Sequence, residues 1–554
     1  MAVRNAFYAQ SGGVTAVINA SACGVLQTAR QYPAKIGKVY AGRDGIIGAL
    51  TEDLIDTSLE SEATIAALKH TPGAAFGSCR YKLGSIDEHR AQYERLIEVF
   101  DAYDIGFFFY NGGGDSQDTA YKVSQLGASL SYPLVCVGIP KTIDNDLPIT
   151  DSCPGFGSVA KYIATSLREA AFDLTAMCRT STQVFVLEVM GRHAGWATAA
   201  CALAAEQEGE APHILLLPEV VFDEARFLAK VKKAMERYGQ CVIAASEGVK
   251  GPDGEFLSAS GLKDAFGHAQ LGGVAPVITN LISAKLGCRC HWAVPDYLQR
   301  SARHIASDID LQHAYAVGRA AVEFAIVGKS AVMPAIRRLD DAPYRWDIIA
   351  APLSEVANQE KRLPDDFISA DGFGITATAR RYLAPLIVGE ACPPFKNGLP
   401  SYVKLQNLAV PKKTEQGVCR LNTMISRYAV SATITQVDLE GPARLARSHA
   451  VRTEGGSMVG SNSEGPASPQ YRRSTSDSGN IYVHTGTDGQ CQVPTIPPRS
   501  ARCASSNRCI PMVAALLKPF KKRRRRSSGS AARTSGSGKH RFRIGSSSSS
   551  CVRL

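Results

Sequence analysis

Short apolar runs punctuate the first half of the chain, and most are followed directly by a polar or glycine-bearing turn. Asn5 to Ala9, Ile105 to Tyr110, Leu134 to Ile139, Gln183 to Glu188, Ile214 to Leu217 and Cys241 to Ser246 contain β-branched or aromatic residues, and runs of this kind read as buried strands. Between them, Ile65 to Lys69, Glu88 to Phe100, Val159 to Phe172 and Asp223 to Tyr238 read as helices; in the last, Phe227, Val231 and Met235 recur every fourth residue and form one apolar stripe. Alternating strands and helices predict an α/β fold, a mostly parallel sheet covered by helices on both faces. Ligands of such sheets gather beyond the carboxyl ends of the strands, so the turns after the runs become the candidate site.

The periodicity fades after Lys413, where Ser, Gly, Arg, Thr and Pro take over through to Leu554. Such a segment buries too little apolar surface to offset its ordering entropy, so residues 414–554 are expected to be a disordered tail, with Ser546 to Ser550 a low-complexity run. The composition, 45% hydrophobic and 20% charged over 554 residues, allows two or three globular domains. No apolar stretch approaches the about 18–20 residues of a membrane span, and Met1 to Gln10 lacks the sustained apolar region of a secretory leader. The expected setting is the cytoplasm, with no membrane partner. The 15 cysteines are scattered, which favours reduced thiols over a disulfide framework. Cys288, Cys290 and His291 lack a second ligand pair at zinc spacing and are expected to be ordinary core or surface residues.

The net charge of +11 invites a nucleic-acid partner until its location is considered. From Thr414 onward lie 22 of the 62 Lys and Arg but only 7 of the 51 Asp and Glu, which puts the tail at +15 and the remainder at −4. Lys521 to Arg526 is a run able to bind phosphates or an import receptor. It stands among few aromatics for base stacking, so a nucleic-acid-binding or nuclear interaction protein is the weaker alternative.

Four turns carry chemistry. Gln10-Ser11-Gly12-Gly13, before a helix expected near Thr15, exposes backbone amides that favour an anion; a plain strand-to-helix turn has the same pattern. Phe76-Gly77-Ser78-Cys79-Arg80 offers a guanidinium fork for a phosphate, or simply a solvated loop arginine. Tyr110 to Ser116 includes Gly112, Gly113 and Gly114, which permit close approach to the backbone, and Asp115, a carboxylate for Mg²⁺ or for repelling additional phosphate. Pro140-Lys141-Thr142-Ile143-Asp144-Asn145-Asp146 places a cation, a hydroxyl and two carboxylates in one turn, as a base beside a phosphoryl-stabilising charge requires. Taken alone, that turn is also compatible with Asp144 and Asp146 capping the next helix.

With SGG, GSxR, GGGDS, PKTIDND, EVMGRHAGW, SEG and FGHxQxGG in that order, the chain resembles the phosphofructokinase family over roughly residues 1–413. The resemblance implies two Rossmann-like three-layer domains, with a donor part near 1–157 and 270–320 and a sugar-phosphate part near 158–269 and 321–413. It implies transfer of a phosphoryl group to the C1 hydroxyl of fructose 6-phosphate, Mg²⁺ as cofactor, and a homodimer or homotetramer. Asp144 then corresponds to the general base, with Thr142 and Ile143 touching the substrate beside it. Gly12, Gly13, Arg80, Gly113 and Gly114 would hold the donor. Met190, Gly191 and Arg192 would contact the sugar phosphate, Glu247 would grip sugar hydroxyls, and His268 would add a neighbouring contact.

Departures from the ATP-dependent branch bear on the donor. Asp115 and Lys141 stand where that branch has glycine, and both resemble the pyrophosphate-dependent branch. A carboxylate at Asp115 repels the α-phosphate of ATP, and Lys141 stabilises a departing phosphate. Pyrophosphate is therefore the expected donor and ATP the alternative. Asp115 is the expected Mg²⁺ ligand, with Asp146 as the alternative. Leu271 replaces an arginine of ATP-dependent relatives. The sugar-phosphate contact then falls, by resemblance, to Tyr297-Leu298-Gln299-Arg300, with Arg303 close behind. Tyr297 and Arg300, three apart, are expected to share a helix face.

Overall fold

The apolar runs all become strands, and they sort into two sheets. In chain order the first are β1 (Arg4–Ser11), β2 (Ile36–Gly42), β3 (Leu54–Asp56), β4 (Ser78–Cys79), β5 (Ile105–Gly112) and β6 (Val135–Pro140). The chain crosses over to form β7 (Val184–Val189), β8 (Ile214–Leu216), β9 (Cys241–Ser246), the hairpin of β10 (Ala259–Lys263) and β11 (Ala269–Leu271), and β12 (Cys290–Ala293). It returns as β13 (Val332–Asp341) and β14 (Tyr344–Pro352). This computed structural model describes residues 2–263, 269–271 and 273–414. His268 and the tail with its basic run lie outside the described residues.

The first sheet has the order β14-β13-β6-β5-β1-β2-β3, with β4 beside β1, and the second the order β12-β7-β9-β8. Pairing is parallel except for β2 with β3 and β13 with β14. Successive residues of a strand point to opposite faces, and both faces here are apolar. Phe7, Phe108 and Tyr110 pack on one side of the first sheet, and Ala6, Tyr8, Phe107 and Phe109 on the other. The second sheet repeats this with Leu187, Val189 and Val242 against Val184, Val186 and Ile243. Each large apolar side chain so buried contributes about 1.5–3 kcal/mol, which is why continuous rather than alternating runs mark these strands.

The later chain divides differently from the expectation. β12, within 270–320, joins the second sheet, whereas β13 and β14, within 321–413, join the first. The helix Asp308–Ile326 packs on the helix Ile18–Gln31 and so carries the chain back to the edge at β6. Glycine permits that approach: a Cβ on Gly24 would lie 2.3 Å from the Tyr315 carbonyl oxygen.

The amphipathic helix is Glu224–Tyr238, capped by Asp223, whose side chain accepts from the Arg226 N–H. Phe227 and Val231 are buried with Met235 packed beside them, and Gly239 ends the helix in the left-handed conformation at φ 73°. The helix after β1 begins at Ile18, later than the expected Thr15. Thr414, expected in the tail, is bonded to the body. The Glu52 carboxylate, fully buried, accepts from Tyr103 Oη at 3.0 Å, Arg95 Nη2 at 3.2 Å, the Lys413 N–H and the Thr414 hydroxyl. The ten described cysteines are free. Among the described residues, no helix is long and apolar enough to cross a membrane.

Candidate active site

The polar turns meet beyond the carboxyl ends of both sheets, around one cleft of about 730 Å³. On the first sheet, β1 ends in a turn in which the Gly12 N–H donates to the Cys79 carbonyl at 2.9 Å and Ser78 Oγ donates to the Gly12 carbonyl at 2.7 Å. Gly12 has a φ of 77°, a conformation that costs glycine nothing. At Gly13 the demand is steric, because a Cβ there would lie 2.3 Å from Arg300 Nη1 and 3.6 Å from Arg80 Nη2. Two guanidinium groups therefore flank this turn. A Cβ on Gly114 would meet nothing within 4 Å; packing does not require glycine there, and the residue lines the open cleft. Asp115, in the first turn of the helix Gly114–Ser129, is paired with Lys82 Nζ at 2.6 Å.

The turn after β6 brings Lys141, Thr142, Asp144 and Asp146 to the cleft. Lys141 is nearly fully buried; its backbone N–H donates to the Gly112 carbonyl at 3.1 Å and its Nζ to the Gly13 carbonyl at 2.6 Å. Burial brings its pKa down to about 7, against the pull of Asp144, with Arg80 and Arg300 adding to the fall. Burial pushes the Asp144 carboxyl upward, while Lys141, the Thr142 hydroxyl, Arg192 and Arg300 oppose the rise. The Asp144 N–H donates to Thr142 Oγ1 at 3.0 Å. Asp146 is raised by burial and by its neighbour Asp144, and its Oδ1 is buried with no hydrogen-bond partner. Neither aspartate caps the next helix, Phe156–Met177. Asp310 takes that position, accepting from the Gly155 N–H at 2.8 Å and the Ser158 N–H at 3.0 Å.

The second sheet supplies the opposite wall. The loop after β7 carries Met190, Gly191 and Arg192, and Met190 and Arg192 line the cleft. Gly191 has a φ of 139°; its carbonyl accepts from Ser246 Oγ at 2.6 Å and its N–H donates to Glu247 Oε1 at 3.3 Å. Glu247, directly after β9, is raised to about 7 by burial, with Gly191 opposing and Asp144 adding to the rise. Carboxyls and a lysine perturbed together in a cleft are a mark of acid–base chemistry.

The model of the family described as Phosphofructokinase matches residues 5–325. The chain belongs to the phosphofructokinase family. It is 67% identical over 413 residues to a pyrophosphate--fructose 6-phosphate 1-phosphotransferase of Methylococcus capsulatus, covering 74% of this chain and 98% of that one. It is 63% identical over 413 residues to a protein of the same name from Halomonas elongata, covering 74% of this chain and 99% of that one. A crystal structure of pyrophosphate-dependent phosphofructokinase from Nitrosospira multiformis superposes with a TM-score of 0.70 at 60% identity, over 75% of this chain and 99% of that one.

Within this phosphofructokinase cleft the YxxR segment does not act as a unit. Arg300 reaches the turn at Gly13, and its guanidinium lies 4.0 Å from the centroid of the Tyr297 ring. Tyr297, the N-cap of the short helix Leu298–Ser301, thus supports the arginine, while Leu298 is largely exposed; neither lines the cleft. Gln299 is buried, and its Oε1 accepts from the Met190 N–H at 3.0 Å, so it braces the loop of Met190, Gly191 and Arg192. The expected substrate contact at Arg303 is corrected. That side chain is fully buried and donates to the carbonyls of Lys69 and Ala391 and to His70; a guanidinium so satisfied has no reach into the cleft. Glu188, opening the EVMGRHAGW motif, is structural too, accepting from the Ala275 N–H at 2.9 Å. The sequence reading missed Asn358, Gln359, Glu360 and Arg362, which line the cleft from a segment distant in the chain. They lie in no glycine turn or motif that would have drawn attention.

Proposed function

We propose that this chain transfers a phosphoryl group from pyrophosphate to the C1 hydroxyl of fructose 6-phosphate, giving fructose 1,6-bisphosphate and inorganic phosphate, and that it runs the reaction in both directions. The observation that carries the reading is the buried ammonium of Lys141, held on the Gly13 carbonyl one turn away from the perturbed carboxyl of Asp144. In the forward direction Asp144 accepts the proton of the C1 hydroxyl as its oxygen attacks the terminal phosphorus. The bridging P–O bond breaks, and the charge that collects on the departing phosphate is offset by Lys141. Little covalent work falls to the protein, because phosphoryl transfer is governed by position and charge. The diphosphate lies on the amides of Gly12, Gly13, Gly113 and Gly114 with Arg80 at its side. The sugar lies against Thr142, Ile143, the Met190–Arg192 loop and Glu247. Arg300 stands between the two and contacts a phosphate there. Asp115, paired with Lys82, repels the α-phosphate that ATP would carry beyond the diphosphate.

Among the described residues no three His, Cys, Asp or Glu gather to hold a metal, which suits Mg²⁺ bound by one or two carboxylates together with substrate phosphates and water. The unpartnered Oδ1 of Asp146 fits such a role, with Asp115 as the second carboxylate. When bound, Mg²⁺ supplies charge neutralisation on the diphosphate oxygens. A homo-oligomer, dimer or tetramer, working in the cytoplasm completes the proposal. Its test is fructose 6-phosphate turnover with pyrophosphate and with ATP, each with Mg²⁺. The reading expects the pyrophosphate reaction to dominate; dominance of ATP would move the chain to the alternative, an ATP-dependent phosphofructokinase.

A further inference from the structure

The segment from Asn358 to Leu363 crosses from one wall of the cleft to the other, and its side-chain and long-range backbone hydrogen bonds tie it to both. Asn358 Nδ2 donates to Asp118 Oδ1 at 2.9 Å, on the helix that begins with Gly114 and Asp115. The Leu363 N–H donates to Glu219 Oε1 at 3.2 Å, and that same oxygen accepts from the Gly195 N–H at 2.8 Å, at the end of the loop that holds Arg192. Between these ends lies Lys361. Its N–H donates to the Asp146 carbonyl at 2.6 Å, and its Nζ to the carbonyls of Thr150 and Asp151, both at 2.9 Å. Its own carbonyl accepts from the Trp196 indole N–H at 3.0 Å. Trp196 is itself fixed, buried among Phe156, Phe367 and Tyr382.

One residue therefore joins the turn bearing Asp144 and Asp146 to the helix that follows the Met190–Arg192 loop. We propose that Lys361 is a positioning residue for phosphoryl transfer: its bonds to the Asp146, Thr150 and Asp151 carbonyls and to the Trp196 indole set the spacing between the base-bearing turn and the sugar loop. Lys361 does not line the cleft and touches neither substrate; Gln359, Glu360 and Arg362 beside it do line it. A misplacement of the base by about 1 Å is enough to cost about 10²-fold in rate. The two walls come from different sheets, so their spacing depends on the contacts that bridge them.

The inference rests on the proposed reaction, and its test separates the two. In the unsubstituted full-length protein, absence of pyrophosphate-dependent turnover would count against the reaction itself. Given that turnover, Lys361→Met removes both Nζ bonds while keeping the backbone bonds. It should lower kcat by about 10²-fold, equally in both directions, with KM for fructose 6-phosphate and for pyrophosphate each within about 3-fold of the original. Lys361→Arg, which retains the charge and the donors, should recover most of kcat. A kcat for Lys361→Met within about 3-fold of the original, a loss carried by KM, or a loss not recovered by Lys361→Arg would overturn the proposal. If Lys361→Met does not fold, Trp196→Phe removes the indole donor while keeping an aromatic ring among Phe156, Phe367 and Tyr382. It should lower kcat by about 2- to 10-fold, the value of one hydrogen bond, at constant KM; an unchanged kcat would overturn the proposal equally.

Discussion

The two walls of the cleft are built on different principles. The first sheet presents backbone: glycine turns after β1 and β5 leave amides and space, and the cations Arg80, Lys141 and Arg300 surround them. The second sheet presents side chains on a loop that would not hold its shape alone. Ser246, Glu247 and Gln299 each bond the Met190–Gly191 backbone. A wall of backbone amides recognises a chemically simple, highly charged ligand such as a diphosphate, whereas a wall of braced side chains distinguishes hydroxyls and orients a sugar. Asp144 belongs to the turn between them, with Lys141 on the donor side and Arg192 and Arg300 within electrostatic reach.

Removing the group shared by both walls should have the largest effect. Asp144→Ala is expected to lower kcat by about 10² to 10⁴-fold, the contribution of a positioned general base, while fructose 6-phosphate binding changes little. Near-normal kcat would remove Asp144 from that role. The donor wall comes next. Lys141→Gly should lower kcat with pyrophosphate by about 10² to 10³-fold, as loss of a group stabilising developing charge does. Asp115→Gly should relieve the repulsion that excludes ATP. The double variant should raise the ratio of ATP to pyrophosphate kcat/KM beyond either single change; an unmoved ratio would mean that the donor wall is not read through these two residues.

Much of the cleft's first wall was legible in the sequence because its pattern is local. Gly12, Gly13, Lys141 and Asp144 lie in short motifs directly after apolar runs, and strand-end placement follows from the α/β pattern. The second wall was legible only in part. Arg192 and Glu247 could be named from their motifs, but what holds them comes from residues far along the chain, and nothing in Gln299, Glu219 or Lys361 announces a long-range hydrogen bond. Arg303 shows the converse. Its charge and its place beside YxxR pointed to a ligand, yet its partners are the carbonyls of Lys69 and Ala391, contacts that no local pattern encodes. The return of β13 to the first sheet was hidden for the same reason, since it follows two helices that dock across nearly 300 residues of sequence.

Smaller effects sharpen the contrast. Asp144 and Glu247 both have raised pKa values, Glu247 to about 7, so the basic form of each is lost, as pH falls, at a higher pH than that of an ordinary carboxylate. On the acid side, forward kcat/KM should accordingly begin to decline at a higher pH than a base with the usual carboxylate pKa of about 4 would give, while on the alkaline side Lys141, brought down to about 7, loses its charge as pH rises. A flat profile down to pH 5 would show that burial does not govern the base. The smallest effect belongs to the end of the body, remote from both walls. Ending the chain after Thr414 should leave kcat unchanged. Thr414→Ala, which removes a hydroxyl from Glu52, should cost about 1 kcal/mol and lower Tm by roughly 2 °C or less. A change in kcat from either would link the tail or its junction to catalysis.

The central claim is direct transfer between the two walls, and phosphorus NMR of the full-length protein with Mg²⁺, pyrophosphate and fructose 6-phosphate tests it without coupling enzymes. The account predicts that pyrophosphate is consumed as one C1 phosphate ester and one inorganic phosphate appear in equal amounts, and that adding fructose 1,6-bisphosphate and phosphate alone regenerates pyrophosphate. Two phosphates released per pyrophosphate with no C1 ester, or ester formed only when ATP is supplied, would contradict it.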